Sequence, residues 1–326
     1  MTTATVWLFI FVAAYWAYCV FWGIKGARSA KTASDYFIAG RTIPIWVFVL
    51  AATATSFSGW TFMGHPGLVY RDGFQYAYAS FYTVTIPFTG VIFLKRQWIL
   101  GKRFGFVTPG EMFAEYYKSD AMRVLTVIVA LIFSVPYLGL QLRASGFLFN
   151  VLTDGLLGVD AGMWMLSIVV IIYVASGGLR AVAYVDTLQC LLLAFGILVI
   201  GLITLNAVGG WAELQTGIAK LTSPDIIPEL GTPIDPKRTP DGFSHYTAIP
   251  GVIQFVPSQA TAVGGTWTGF MILTYMFALM GIHASPAFSM WAFANKNPRP
   301  FPLQQVWAST LGIGFALFIF TTMQSM

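Results

Sequence analysis

The sequence predicts an all-α membrane protein, a bundle of about eight transmembrane helices organised around two interrupted ones. Three observations carry that reading. The chain is 57% hydrophobic and 10% charged, with mean hydropathy +0.72 over 326 residues, whereas a soluble domain carries about 25% charged residues. Its apolar stretches have helical spanning length, not the short alternating pattern of a membrane barrel. Two of these stretches are broken by the same grammar of glycine, histidine, small residues and proline.

The first break lies in Ala51–Val69, AATATSFSGWTFMGHPGLV, where Thr53, Thr55, Ser56 and Ser58 bring hydroxyls and Gly59, Gly64, Pro66 and Gly67 interrupt the backbone ladder. A broken helix is tolerated in a membrane only where it is buried in protein or lines a cavity, and so points to a binding site. The second break, Gly281-Ile-His-Ala-Ser-Pro-Ala-Phe-Ser289, repeats the pattern.

The spans are read as residues 5–24, 44–70, 74–95, 122–150, 161–178, 184–207, 267–291 and 304–326. The first has no positive residues before it, and Lys25, Arg28 and Lys31 follow it. It is therefore read as a retained helix rather than a signal peptide, with its N-terminus outside. On that topology thirteen of the eighteen Lys and Arg fall on the inner side, as the positive-inside rule expects. The net charge of +5 is thus an orienting signal, and no nucleic-acid partner is expected. Cys19 and Cys190 lie in apolar runs and imply no disulfide framework or metal cluster. The outer segment 208–266 is proline-rich and mostly irregular, either a solvated connector or a lid. Within it, residues 211–221 suit a short amphipathic helix at the interface.

The breaks fall in spans two and seven, five apart and therefore opposite in direction. Inverted-repeat transporters show interruptions in corresponding positions of two oppositely directed halves. Residues 44–207 form the first repeat on this reading, and 267–326 open a second. The chain is expected to be one incomplete transporter domain, short of roughly three core helices, or a fragment of a longer product.

Four stretches, in order, resemble the sodium:solute symporter family. Ser34-Asp-Tyr-Phe-Ile-Ala-Gly-Arg-Thr-Ile-Pro44 resembles the loop entering the first core helix, and Ser56-Phe-Ser-Gly-Trp-Thr-Phe-Met-Gly-His-Pro-Gly67 is similar to that helix in proline permease. Thr108-Pro-Gly-Glu-Met-Phe113 resembles the next inner loop, and Gly177-Gly-Leu-Arg-Ala-Val-Ala-Tyr-Val-Asp-Thr-Leu-Gln189 the Gly-Gly…Asp…Gln signature. The resemblance implies the LeuT-type inverted-repeat bundle, here one extra helix plus the first seven core helices. It also implies Na+-coupled transport in a bacterial inner membrane.

For sodium, the resemblance implies the carbonyls of Ala54 and Phe57 as ligands, with Ser56 and Ser58 beside them and Asp186 on the inner exit route. Na+ is a hard cation, and an unwound helix offers oxygens to it. Proline permease has an aspartate at the position of Ser56. The remaining ligands belong to a later core helix that the chain does not contain. Asp186 also has a structural reading, as a partner of Arg180 or as a helix-start cap.

The substrate-side candidates are His65, Trp60, Tyr137, Gln141, His283 and Ser285. Exposed amides at half-helix N-termini favour carboxylates, so a small carboxylate or amino acid is the expected solute. Either histidine also suits simple burial against carbonyls. Trp291 stands where proline permease has an arginine, which argues against direct transfer of proline specificity. Arg143 is expected to snorkel to the outer interface. No nucleophile–base pair, zinc-protease motif or paired carboxylate is present, so no enzyme is expected. The competing class is a symporter-like sensor domain of a longer histidine kinase. Oligomeric state is not legible.

Overall fold

A computed structural model describes residues 2–72, 76–77, 82–220, 269–278 and 280–324. Every regular element among them is helical: α1 Thr3–Ser29, α2 Ala33–Ile38, α3 Ile45–Ser56, α4 His65–Asp72, α5 Tyr82–Phe104, α6 Pro109–Tyr117, α7 Asp120–Leu152, α8 Val159–Val208, α9 Trp211–Lys220, α10 Gly269–Phe277, α11 Pro286–Ala294 and α12 Pro300–Gln324. Among the described residues α1, α7, α8 and α12 are each long and apolar enough to cross a membrane, and bent helix pairs at 33–56 and 270–294 pass the same test together. The short amphipathic helix is present as α9. The rest of 208–266 from Leu221 onward lies outside the described residues.

The two expected spans, 161–178 and 184–207, lie in α8 as two helices that meet across a kink at a single residue. Gly178 takes φ 56, ψ −157, a region only glycine enters readily. The turn expected at 179–183 is made by Gly178 alone, with a helix on either side. The span expected at 74–95 is also longer at its inner end: α5 continues to Phe104, carrying Lys102 and Arg103 in its last turn. Cations there complement the helix dipole.

The chain divides into two compact units. The first comprises 1–60, 90–192 and 282–308; the second comprises 61–89, 193–281 and 309–326. In the first, Val47, Phe48, Ala51 and Ala52 of α3 bury against Leu94 of α5, Ala183 of α8 and Phe288, Trp291 and Phe293 of α11. The apolar faces need no water there, and dense packing holds the break in place. A second cluster joins α1 to α8 through Cys19, Val169, Tyr173, Ala181 and Val185. The two helices close to backbone contact at Gly26, where a Cβ would stand 2.5 Å from the Gly177 carbonyl oxygen. Small residues at such crossings let membrane helices approach this closely. In the second unit α4 packs on α12, and Gln324 Nε2 donates to the Ile197 carbonyl at 3.4 Å.

The helix starts in two loops of the first unit are tied down by side chains. Thr32 and Asp35 form a reciprocal capping box at the start of α2, and Thr108 and Glu111 form another at the start of α6. Each satisfies helix-start amides that would otherwise lack partners. Chain direction changes by 108° between 33–41 and 45–56. Arg180 grips that bend, donating to the Ala39 carbonyl at 3.2 Å and the Thr42 hydroxyl at 3.0 Å.

Candidate functional site

The first break is a local unwinding. α3 ends at Ser56, and Phe57 takes extended dihedrals, φ −112 and ψ 148. Its N–H donates to the Ala54 carbonyl at 3.0 Å, a tightened last turn. A π-helical turn follows at Trp60–Gly64, and then α4. Single π turns inside helices recur at functional sites. The bend at Phe57 turns its peptide out of the helical ladder, as expected for a residue whose carbonyl is to serve as a ligand.

The surrounding groups are rich in oxygen. The Ser56 hydroxyl donates to the Ala52 carbonyl at 3.3 Å, which leaves its lone pairs for another partner. Ser58 Oγ accepts the Trp60 N–H at 3.3 Å. Asp186 lies on α8, in the segment that follows Gly178. Arg180, the expected structural partner of Asp186, instead holds the bend at residues 39–42. Ala54, Ser56, Phe57 and Ser58 lie together at the first break, and Asp186 lies on α8 within the same unit.

Gln141 has a role that its polarity did not reveal. Its amide oxygen accepts the Gly59 N–H at 2.8 Å, capping the first donor after the break from a helix 82 residues away. Gln141→Ala is expected to lower stability by about 1 kcal/mol, the ordinary cost of one lost partner for a part-buried amide. A thermal-unfolding comparison of the purified proteins measures it. Tyr137, four residues earlier, is exposed on α7. Arg143 is exposed and lies over the Phe147 ring at 5.5 Å.

The two histidines are deeply packed. His65 is 2% exposed, with the Tyr76 and Phe318 rings at 5.8 and 6.0 Å, all within the second unit. His283 lies in the first unit, wholly buried, edge-on to Phe288 at 4.7 Å, with Gln305 as a side-chain hydrogen-bond partner. Gln97 Nε2 donates to the His283 carbonyl at 3.4 Å and to Ser289 Oγ at 3.0 Å. Ser285 is the half-buried N-cap residue of α11, with extended dihedrals. Its N–H donates to the Ile282 carbonyl at 3.0 Å.

A surface cavity of about 500 Å³ lies in the first unit, beside Phe106, Glu111, Glu115 and Arg123. Its charges are locally matched. Glu111 caps α6, Glu115 pairs with Lys118, and Arg123 stands 3.9 Å from Asp120. Among the described residues no group of three or more His, Cys, Asp or Glu is placed to hold a metal.

Spanning helices broken at an oxygen-rich turn define an integral membrane protein of the discontinuous-helix class. The chain belongs to the sodium:solute symporter family, whose profile matches residues 36–254. It is 27% identical over 200 residues to a sodium/proline symporter of Salmonella typhimurium, covering 59% of this chain and 38% of that protein. Against a sodium/pantothenate symporter of Haemophilus influenzae it is 25% identical over 229 residues, covering 70% and 45%. The chain spans about two-fifths of the length of the curated relatives it matches. A solved structure of a Na+-coupled sialic acid symporter, in a substrate-bound outward-open state, aligns with TM-score 0.57 and 17% identity, covering 99% of this chain and 71% of that one. That likeness is one of fold.

Proposed function

We propose that this chain forms the ion-binding part of a secondary active transporter that couples Na+ to the symport of a small organic solute by alternating access. The observation that carries the reading is the unwound turn at Phe57–Ser58, flanked by the Ser56 and Ser58 hydroxyls, with the Asp186 carboxyl on α8 of the same unit. The donor set fits the ion. Ala54 and Phe57 offer carbonyls, Ser56 and Ser58 hydroxyls, and Asp186 a negative charge, all hard oxygen donors of the kind Na+ prefers. Na+ supplies the driving force when bound; the residues supply its cradle and its selectivity for a small hard cation.

The fold reading that goes with this is the inverted repeat, with 44–207 as one half and 267–326 as the start of the other. The membrane reading is a bacterial inner membrane with the N-terminus outside, because the cations collect at the opposite ends of the helices. Trp60, Tyr137, Gln141 and Ser285 are proposed to line the substrate path. His65 and His283 are buried in this conformation, so their contact with substrate requires the rocking that exposes the path. A carboxylate or amino acid is favoured, since half-helix N-termini attract anions. No observation favours the sensor alternative.

The test is uptake into proteoliposomes, with proline and pantothenate among a panel of solutes. An imposed Na+ gradient should drive accumulation, and a pH gradient alone should not. Uptake driven by the pH gradient and indifferent to Na+ contradicts the ion assignment. In the same assay His65→Ala is expected to raise the apparent KM several-fold; an unchanged uptake curve removes His65 from the substrate path.

A further inference from the structure

The helix α5 carries its charge on one side. Leu94, Gln97 and Gly101 are buried and Trp98 is half-buried, the i, i+3, i+4, i+7 stripe by which a helix docks on its neighbours. Lys95, Arg96, Lys102 and Arg103 are all exposed. Lys102 follows Lys95, and Arg103 follows Arg96, by two helical turns. The two pairs therefore share one azimuth and stand about 10 Å apart along the axis. Ile99 lies between them, 45% exposed, and Val91 and Ile92 continue the exposed surface toward the helix start at 54% and 49%. No acid answers these cations. Among the described residues the ion pairs are Lys118–Glu115 and Arg123–Asp120, and the Glu111 carboxylate accepts the Val107 and Thr108 amides. Arg103 lies over the Phe104 ring at 5.5 Å.

We propose that this face of α5 binds an anionic phospholipid, with the headgroup phosphate held between the Lys95–Arg96 and Lys102–Arg103 pairs and an acyl chain laid along Val91 and Ile92. A charged side chain that faces lipid is costly unless it snorkels to the interface or meets an anion. Orienting charges are counted in loops and require no common face; these four lie within a helix and share one. Cα–Cβ bonds tilt toward the helix N-terminus, so Lys102 and Arg103 lean back toward the first pair and a phosphate between the pairs meets both. The guanidinium forks grip its oxygens bidentately, and the ammonium groups add point charges. The apolar residues between and beyond the cations select an anion that carries hydrocarbon over a free one. The site needs neither helix break and stands apart from the sodium reading.

The test is native mass spectrometry of the purified 326-residue chain in uncharged detergent, titrated with phosphatidylglycerol or phosphatidylcholine, with inorganic phosphate as competitor. Phosphatidylglycerol should be retained and phosphatidylcholine should bind far more weakly. The double variants Lys95→Gln/Arg96→Gln and Lys102→Gln/Arg103→Gln should each raise the Kd for phosphatidylglycerol about tenfold or more, the scale of two cations withdrawn from an anionic headgroup. Lys296→Gln/Arg299→Gln removes two exposed cations elsewhere in the same unit and should leave the Kd within about twofold. Equal weakening in all three variants reduces the effect to bulk charge and overturns the site. Equal retention of the two lipids overturns it as well. Displacement of phosphatidylglycerol by an equal concentration of inorganic phosphate overturns the lipid assignment and leaves a bare anion site. Lipid-free melting temperatures check that the variants fold; should one α5 pair variant fail to, the other decides.

Discussion

Gly178→Val should yield little or no folded protein, and Gly178→Ala a protein destabilised by about 3 kcal/mol or more. Two costs add at this residue. Its backbone, φ 56 and ψ −157, lies where a side chain costs about 1–3 kcal/mol. A Cβ there would also stand 2.4 Å from the Tyr36 carbonyl oxygen and 2.9 Å from Tyr36 Cδ2. The carbonyl is backbone and cannot swing away. Relief would have to move α2 or straighten α8, and either displaces Arg180 from the Ala39 carbonyl that it holds. Gly105 is the control: its φ is +78, but nothing lies within 4 Å of its Cβ position. Gly105→Ala should therefore lose only the backbone term, about 1 kcal/mol. Size-exclusion profiles and melting temperatures of the three variants check the ranking; equal losses at 105 and 178 would remove the steric argument.

Arg41→Ala should destabilise the first unit strongly, with a loss of about 3–5 kcal/mol. The guanidinium donates through Nη1 to the Phe293 carbonyl and through Nη2 to the Gly101 and Phe106 carbonyls, each at 3.0 Å. Gly101 lies in the last turn of α5, where its carbonyl also accepts the Gly105 N–H at 3.0 Å, and Phe293 lies in the last turn of α11. One cation thus closes two helix ends and the loop after α5. Hydrogen bonds to a charged group are worth about 1.5–3 kcal/mol each and do not add in full when they share one donor group. Lysine should not rescue, since an ammonium on a flexible stem lacks the planar fork. Arg41 also has φ 58, so Arg41→Gly should cost less than Arg41→Ala: it loses the clamp but relaxes the backbone. Thermal unfolding of the three variants measures this, and a lysine variant as stable as wild type would contradict the forked-clamp reading.

Much of the helical layout was legible in hydropathy. Each expected span that the structure describes coincides with helix, and the first break falls at the Phe57–Ser58 pair inside the stretch that glycine, proline and hydroxyls had marked. Hydropathy locates the apolar slab and not the hydrogen-bond ladder. It therefore drew the turn between the fifth and sixth spans over 179–183, where the backbone leaves helical values at Gly178 alone, and it ended the third span at 95, although α5 runs on to Phe104. The site was legible in its residue types but not in its pairings. Gln141 on the Gly59 amide and Trp291 on Thr55 join positions 82 and 236 residues apart. Neither pair leaves a local periodicity, because each depends on how separate helices pack. Asp186 stood out as an acid within a span, but spacing could not show that Arg180, its expected partner, is engaged at the bend of residues 39–42.

The central claim, that the unwound turn at Phe57–Ser58 is a sodium site, is tested most directly by backbone hydrogen exchange with Na+ or K+ as the cation. Amides of an unwound turn exchange readily, and a bound ion raises the free energy of opening them. The account predicts that Na+, and not K+, slows exchange in peptides covering residues 54–60, with little change in α6 or α9. Identical exchange at 54–60 in the two salts would contradict it.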